Sequence, residues 1–351
     1  LHQDVHSFPT RRSSDLMSVQ AVQYDCFGPV ENLKLANVPG ENPEEGQVKI
    51  AVRAVGLNPV DYKIFEGSPQ LRMLSRVMKI RNPRRWFESK KSQFPRGVGR
   101  DFSGTVLEVG PGVSGYHVGD DVFGTIVSAP GLGTKRGSLA TEICVNTGDI
   151  ALKPASIDFD HAAAMGVAAL TVGGAFRHIG VGAGDTVVIS AASGGIGSTA
   201  VQYAVARGAR VVGIAGAANA EFVRSLGAVP VAYGEGVRER VLKAAEGRVT
   251  KFLDCYGGDY VSLAFSLGLK GKDIGTLVPS PKVMIRGAQF TGPRHSEHGD
   301  FEALAELVTE GKVSIRLDRV YGFTIEDVRA AYRDLKAGHT RGKRVVRITD
   351  S

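Results

Sequence analysis

Between residues 185 and 280 the apolar positions fall in short runs rich in β-branched residues, separated by longer segments of helical spacing. Thr186–Ser190, Val211–Ala215, Val229–Tyr233, Lys251–Cys255 and Ile274–Val278 read as strands, the first of them uncharged as a strand buried on both faces should be. The segment from Gly195 and those at Ala220–Leu226 and Val237–Ala245 read as helices, so the alternation predicts a doubly wound α/β sheet. Earlier in the chain the pattern is different. Gln20–Tyr24, Leu33–Ala36, Val48–Val55, Phe102–Gly110 and Asp121–Gly124 read as short strands with frequent turns, a β-rich unit. Asn58 and Pro59 are read as a turn that ends the third of these. Helices are expected at about Phe159–Met165 and Leu170–Ile179. Near the end, Asp300 is read as the cap of a helix Phe301–Glu310, and Thr324 with Asp327 as the capping box of a helix to Lys336 that Gly338 ends. A basic strand, Lys343–Ile348, follows.

The strand Thr186–Ser190 runs directly into Ala192-x-Gly194-x-x-Gly197. Residues without bulk let the backbone turn tightly and let a pyrophosphate approach the amides, and the helix that follows offers unpaired N–H groups to an anion. Ser193, Gly194, Gly195, Ile196 and Gly197 are the candidate phosphate contacts. About eighteen residues on, where an acid would hold the ribose 2′-hydroxyl of NAD, the chain has Ala215-Gly216-Ala217-Ala218-Asn219. A carboxylate there would repel a 2′-phosphate, so its absence favours NADP.

The 351 residues are enough for two domains. Hydrophobic residues at 43% with charged residues at 23% suit a globular protein, and no apolar run approaches the roughly 20 residues that span a bilayer. No membrane partner is expected. Cys26, Cys144 and Cys255 lie too far apart for a disulfide framework or a C-x-x-C metal site, which fits a reducing cytoplasm. Residues His6 to Leu16 resemble one translated frame of a common sequencing adapter. Residues 1–16 are therefore expected to be a non-native or disordered leader before Met17; they lack the apolar core of a secretory signal.

Charge is concentrated in one place. Arg72 to Arg100 carries ten lysines and arginines against one acid, Glu88, with Trp86 and Phe87 among them. Three readings stand: a solvated amphipathic helix on a loop, a lid over an acidic substrate, and, least favoured, a nucleic-acid patch. His295 and His298, with Glu297 and Asp300, can be drawn as a metal site, but they sit in a polar loop before a helix and no metal is expected.

Taken together, G-L-N-P-V-D at 56–61, G-R-D-F-S-G at 99–104, A-S-G-G-I-G at 192–197, L-D-C-Y-G-G at 253–258 and H-T-R-G-K at 339–343 resemble the zinc-independent branch of the medium-chain dehydrogenase/reductases, the quinone oxidoreductase or zeta-crystallin-like group. The resemblance covers Met17 to about Thr349. It implies a Rossmann domain inserted in a GroES-like catalytic domain, with residues 17–150 catalytic, 151–285 NADP-binding and 286–351 returning to the catalytic domain. Zinc relatives have a cysteine near Asn58 and G-H-E where this chain has Gly99-Arg100-Asp101, so no zinc is implied.

The activity implied is transfer of a hydride from NADPH to a quinone or an α,β-unsaturated carbonyl. An enoyl-thioester reductase, or a catalytically quiet nucleotide- or RNA-binding member, is the alternative. Without a metal the substrate oxyanion needs hydrogen-bond donors, and the resemblance points to Asn58 and Tyr62; Tyr62 as a packed aromatic stays open. For the cofactor it points to Thr171, Gly257, Val278 and Lys343 toward the nicotinamide, and to Ala215, Gly216, Asn219 and Tyr233 toward the adenosine. Relatives often have N-Y-R where this chain has Ala232-Tyr233-Gly234, and lysine where it has Asn219, which weakens the case for NADP. A homodimer is also implied.

Overall fold

The computed structural model describes residues 18–69, 71, 94–127, 136–278, 280–338 and 340–348. The leader 1–16 and residues 72–93 of the basic stretch lie outside them.

The N-terminal unit is built from β1 (Ser18–Tyr24), β2 (Lys34–Pro39), β3 (Gln47–Gly56), α1 (Pro59–Phe65), β4 (Arg96–Gly97), β5 (Asp101–Val109), β6 (Asp121–Thr125), β7 (Glu142–Asn146) and β8 (Ile150–Leu152). Strand β3 is its spine. Its first half pairs antiparallel with β7, and Val48 to Ala54 with β5, beyond which β6 and then β8 follow. Tyr24, Ile50, Leu57, Phe65 and Phe102 fill the core beneath. The expected turn at Asn58-Pro59 is instead the start of α1. Proline at the first helical position has no N–H to waste, and Asn58 and Asp61 form a reciprocal capping box.

Two helices, α2 (Phe159–Ala163) and α3 (Gly166–Ile179), lead to the second unit. Helix α3 begins four residues before the expected start and is apolar nearly all round, because it lies buried between the two sheets and touches both. Beyond it, β9 (Thr186–Ile189), α4 (Gly195–Ala206), β10 (Arg210–Ala215), α5 (Ala220–Ser225), β11 (Val229–Ala232), α6 (Val237–Ala245), β12 (Lys251–Asp254), α7 (Tyr260–Ser266), β13 (Ile274–Thr276), α8 (Pro281–Ile285) and β14 (Gln289–Phe290) form the doubly wound sheet. All six strands are parallel, in the order β11-β10-β9-β12-β13-β14. Consecutive residues alternate between faces: Val187 and Ile189 join the core under α3 and α4, while Val188 joins the opposite one. In this strand order the direction of winding reverses beside β9, which is where such sheets open a crevice.

The chain then returns through α9 (Asp300–Thr309), β15 (Leu317–Tyr321), α10 (Ile325–Ala337) and β16 (Lys343–Arg347). Strand β16 pairs antiparallel with the second half of β3 and parallel with β15. Thr324 caps α10 as expected. Asp300 does not cap α9: it is the helix's first residue, and its carboxylate accepts from the Glu297 amide and pairs with Arg177.

Candidate active site

The turn after β9 is shaped by close approach. Ala191 adopts a positive φ of 49°, and a Cβ on Gly197 would lie 2.1 Å from the Ala191 carbonyl oxygen, so only glycine lets α4 sit this near the strand. Gly194 stands at the N-cap of α4 and has no side chain to cap it, which leaves the helix's first amides to an outside acceptor. These residues fit a dinucleotide's pyrophosphate, with Ser193 to Gly197 as the cradle.

Asp254 secures the neighbouring edge. Fully buried at the end of β12, it accepts from Ser190 Oγ, the amides of Tyr256 and Gly257, and Thr276 Oγ1, all at 2.8–3.0 Å. Gly257 is thereby held at φ +97° against Val278, and both stand at the carboxyl ends of β12 and β13. Thr171 is buried on α3, where Gly292 packs against it.

On the other side of the cradle, Ala215 ends β10 and Gly216 lies under the ring of Tyr233, which is 57% exposed. Asn219 donates to Ser193 Oγ at 3.1 Å and accepts from Arg341 Nε at 2.5 Å; Arg341 Nη2 also donates to the Ala218 carbonyl at 2.8 Å. Next in sequence, the Gly342 amide donates to the Ser193 carbonyl at 3.0 Å and Gly342 bridges Gly194.

Lys343 then turns inward. Its stem passes so near Gly195 that a Cβ there would be 2.6 Å from Lys343 Cδ. The ammonium is buried and donates to Asn58 Oδ1 at 2.7 Å and Asp101 Oδ2 at 3.1 Å. Asn58 Nδ2 donates to the same Asp101 oxygen at 2.9 Å and only distantly to the Gly56 carbonyl, at 3.4 Å. Asp101 Oδ1 accepts the Val167 amide at the start of α3. One fully buried carboxylate therefore ties together α1, α3 and β16.

Behind Asn58, the Asp61 carboxylate accepts the Asn58 amide at 2.9 Å, and its Oδ1 has no partner. Burial pushes Asp61 up to about 7. Arg100 faces it, with Nη2 also unpartnered, and burial lowers the guanidinium's affinity for its proton. The hydroxyl of Tyr24 is a third such atom. Tyr24, Asp61 and Arg100 line one small pocket, with Phe65 and Val98 as its apolar wall.

The structure thus joins Asn58 to the Ser193–Gly197 turn through Lys343, with Asn219 bonded to the turn at Ser193. Tyr62 follows Asn58 in α1, half-buried against the N-terminal core, and burial raises its hydroxyl's pKa. Sequence reasoning did not single out Arg341. The motif H-T-R-G-K contains both Arg341 and Lys343, and an arginine two places before a residue assigned to the cofactor was the available signal. Of the residues drawn as a metal group, His295 stacks on His178 at 3.7 Å, His298 meets the Ile150 carbonyl, and Asp300 pairs with Arg177. Among the described residues no three histidines, cysteines or acids are grouped to hold a metal.

Residues 44–155 match the alcohol dehydrogenase GroES-like domain family, and residues 226–346 the family described as zinc-binding dehydrogenase. The chloroplast envelope quinone oxidoreductase homolog of Arabidopsis thaliana is 30% identical over 348 residues, covering 93% of this chain and 98% of that protein. The chain belongs to the quinone oxidoreductase family of medium-chain dehydrogenase/reductases. Other family members at similar distance include the mitochondrial NAD(P)H oxidoreductase RTN4IP1 of Danio rerio, 32% identical over 87% of this chain and 84% of its own. The quinone oxidoreductase structure from Coxiella burnetii superposes with a TM-score of 0.78 at 28% identity, over 95% of this chain and all of that one. Among the described residues of this family member no helix is long and apolar enough to cross a membrane.

Proposed function

We propose that this protein is an NADPH-dependent reductase that passes a hydride to a quinone or an α,β-unsaturated carbonyl without zinc. The observation that carries the reading is the continuity of residues 341–343, which link the anion cradle at Gly194–Gly197 to the buried amide of Asn58. Bound dihydronicotinamide supplies the hydride. The chain's part is to receive charge. As negative charge develops on the substrate oxygen, the Lys343 ammonium on Asn58 Oδ1 polarises that amide, and the N–H that meets Gly56 at only 3.4 Å is the one free to turn to the oxyanion. Tyr62 is the second donor of α1 in this reading. Zinc independence rests on the chemistry of the donors: an asparagine and an arginine stand at the positions compared with zinc ligands, and two buried cations, Lys343 and Arg100, repel a dication. Names such as the NADPH-dependent alkenal/one oxidoreductase of Arabidopsis thaliana, 29% identical, support the substrate class.

The test is oxidation of NADPH and of NADH by the purified chain with a quinone, a linear enone and a saturated aldehyde, each with and without a zinc chelator. Turnover of the quinone or enone, indifferent to chelator, is expected. Reduction of the aldehyde alone, or loss of activity with chelator, would sink the reading.

A further inference from the structure

Asn58 is held at both ends. Its backbone stands at the N-cap of α1 in extended conformation, φ −130° and ψ 145°, and its amide N–H donates to Asp61 Oδ2 at 2.9 Å. Its side chain is held outside the helix by Lys343 and Asp101. Capping needs no burial, and a carboxylate out of water is costly. Asp61 is nonetheless only 4% exposed, and its Oδ1 has no partner. Every element packed around it presents a polar group: Arg100 from the link between β4 and β5, Asp101 from β5, Lys343 from β16, and from α10 the hydroxyl of Tyr332, 3.5 Å from Oδ2. Tyr24 of β1 lines the pocket that Asp61 and Arg100 share, and Arg100 Nη2 is shut off from solvent there without a partner. Arg100, Lys343 and Asp101 together carry a charge of +1. A proton on Asp61 keeps that sum, and its loss brings the group to zero.

We propose that Asp61 is a positioning residue for hydride transfer: it holds the Asn58 amide in place through the backbone and, with Arg100, sets the charge that stands behind that amide as the substrate oxygen turns negative. The assignment rests on the reading that Asn58 receives that oxygen. Burial pushes the Asp61 carboxyl up to about 7. At lower pH the group is net positive and favours the developing oxyanion; at higher pH an added anion behind Asn58 opposes it.

The experiment is the pH dependence of kcat, with quinone and enone, for the full chain, Asp61→Asn and Arg100→Gln between about pH 6 and about pH 8.5. The side-chain amide of Asn58 is followed by NMR over the same range in asparagine-labelled protein. Wild-type kcat is expected to fall about tenfold as pH rises through about 7, the KM for NADPH to change by less than about twofold, and the Asn58 resonance to shift with the same midpoint. Asp61→Asn keeps an acceptor for the Asn58 N–H and is expected to flatten both curves. Arg100→Gln removes a cation that favours the ionised carboxyl, so the fall and the shift are expected at higher pH; this variant carries the test if Asp61→Asn does not fold. A level wild-type profile, or a fall of unchanged midpoint in the variants, overturns the assignment. An Asn58 resonance that titrates in the wild type and not in Asp61→Asn, in a protein that turns over neither quinone nor enone, would keep Asp61 at that amide and remove the reductase reading instead.

Discussion

The Lys343 ammonium lies 2.7 Å from Asn58 Oδ1, so the last described strand and the first helix meet at a single buried amide. The ammonium also neutralises Asp101, a carboxylate with no exposure to solvent. Lys343→Met leaves that charge with hydrogen-bond donors but without its ion-pair partner. Loss of about 3–5 kcal/mol in urea unfolding is expected, with kcat lowered about ten- to hundredfold in whatever fraction stays folded.

Gly197→Ala tests the cradle. Its new Cβ meets the Ala191 carbonyl, and the turn has to move by an ångström or more to relieve it. Cofactor affinity, followed by nicotinamide fluorescence, is expected to fall about tenfold or more, with a stability cost of about 1–3 kcal/mol.

Asp254 gives a graded pair. In Asp254→Asn the remaining oxygen can keep the amides of Tyr256 and Gly257, and the new NH₂ can donate to Thr276 Oγ1. Asp254→Ala leaves both amides, and the Ser190 and Thr276 hydroxyls, without the carboxylate they donate to. The alanine variant is expected to be less stable than the asparagine variant by about 1–3 kcal/mol in thermal or urea unfolding.

The pH dependence of stability has a definite sign at Asp61. Its folded pKa of about 7 lies above the ordinary 3.8, so the folded state holds the proton more tightly. The contribution is fully present below pH ~4 and is lost as pH rises through about 7, at roughly 1.4 kcal/mol per pH unit at most. Asp149, raised by burial to about 6, adds the same slope over part of that range. Asp61→Asn keeps an acceptor for the Asn58 amide, and its stability relative to wild type is expected to rise between pH 4 and 7 in denaturant titrations. A difference that stays flat with pH would show that Asp61 titrates at its ordinary value.

Five strands of the doubly wound sheet were legible as short apolar runs, and the glycines of 194–197 mark where its two directions part; β14, only two residues long, and helix α7 were not read. Helix α1 was not, since Asn58-Pro59 reads as a turn until the Asn58–Asp61 box is seen to start a helix. Strand β15 escaped notice because three of its five residues, Asp318, Arg319 and Val320, are exposed at a sheet edge and give no alternation. In the site, the phosphate turn is a local pattern and could be read directly. The Asn58–Asp101–Lys343 cluster and the Asn219–Arg341 contact join residues 43 to 285 apart, and no spacing along the chain encodes them.

Strand β16, which carries Lys343, is synthesised after every other described element, yet it lies directly on β3, near the beginning. At about 5–20 residues per second the ribosome takes on the order of 15–60 s between the two. Throughout that interval the second half of β3 lacks the strand that will cover it, and Asp101 is without the ammonium that will neutralise it. A ribosome that stalls before residue 343 therefore leaves a product with an open sheet edge, suited to quality control by a chaperone or protease.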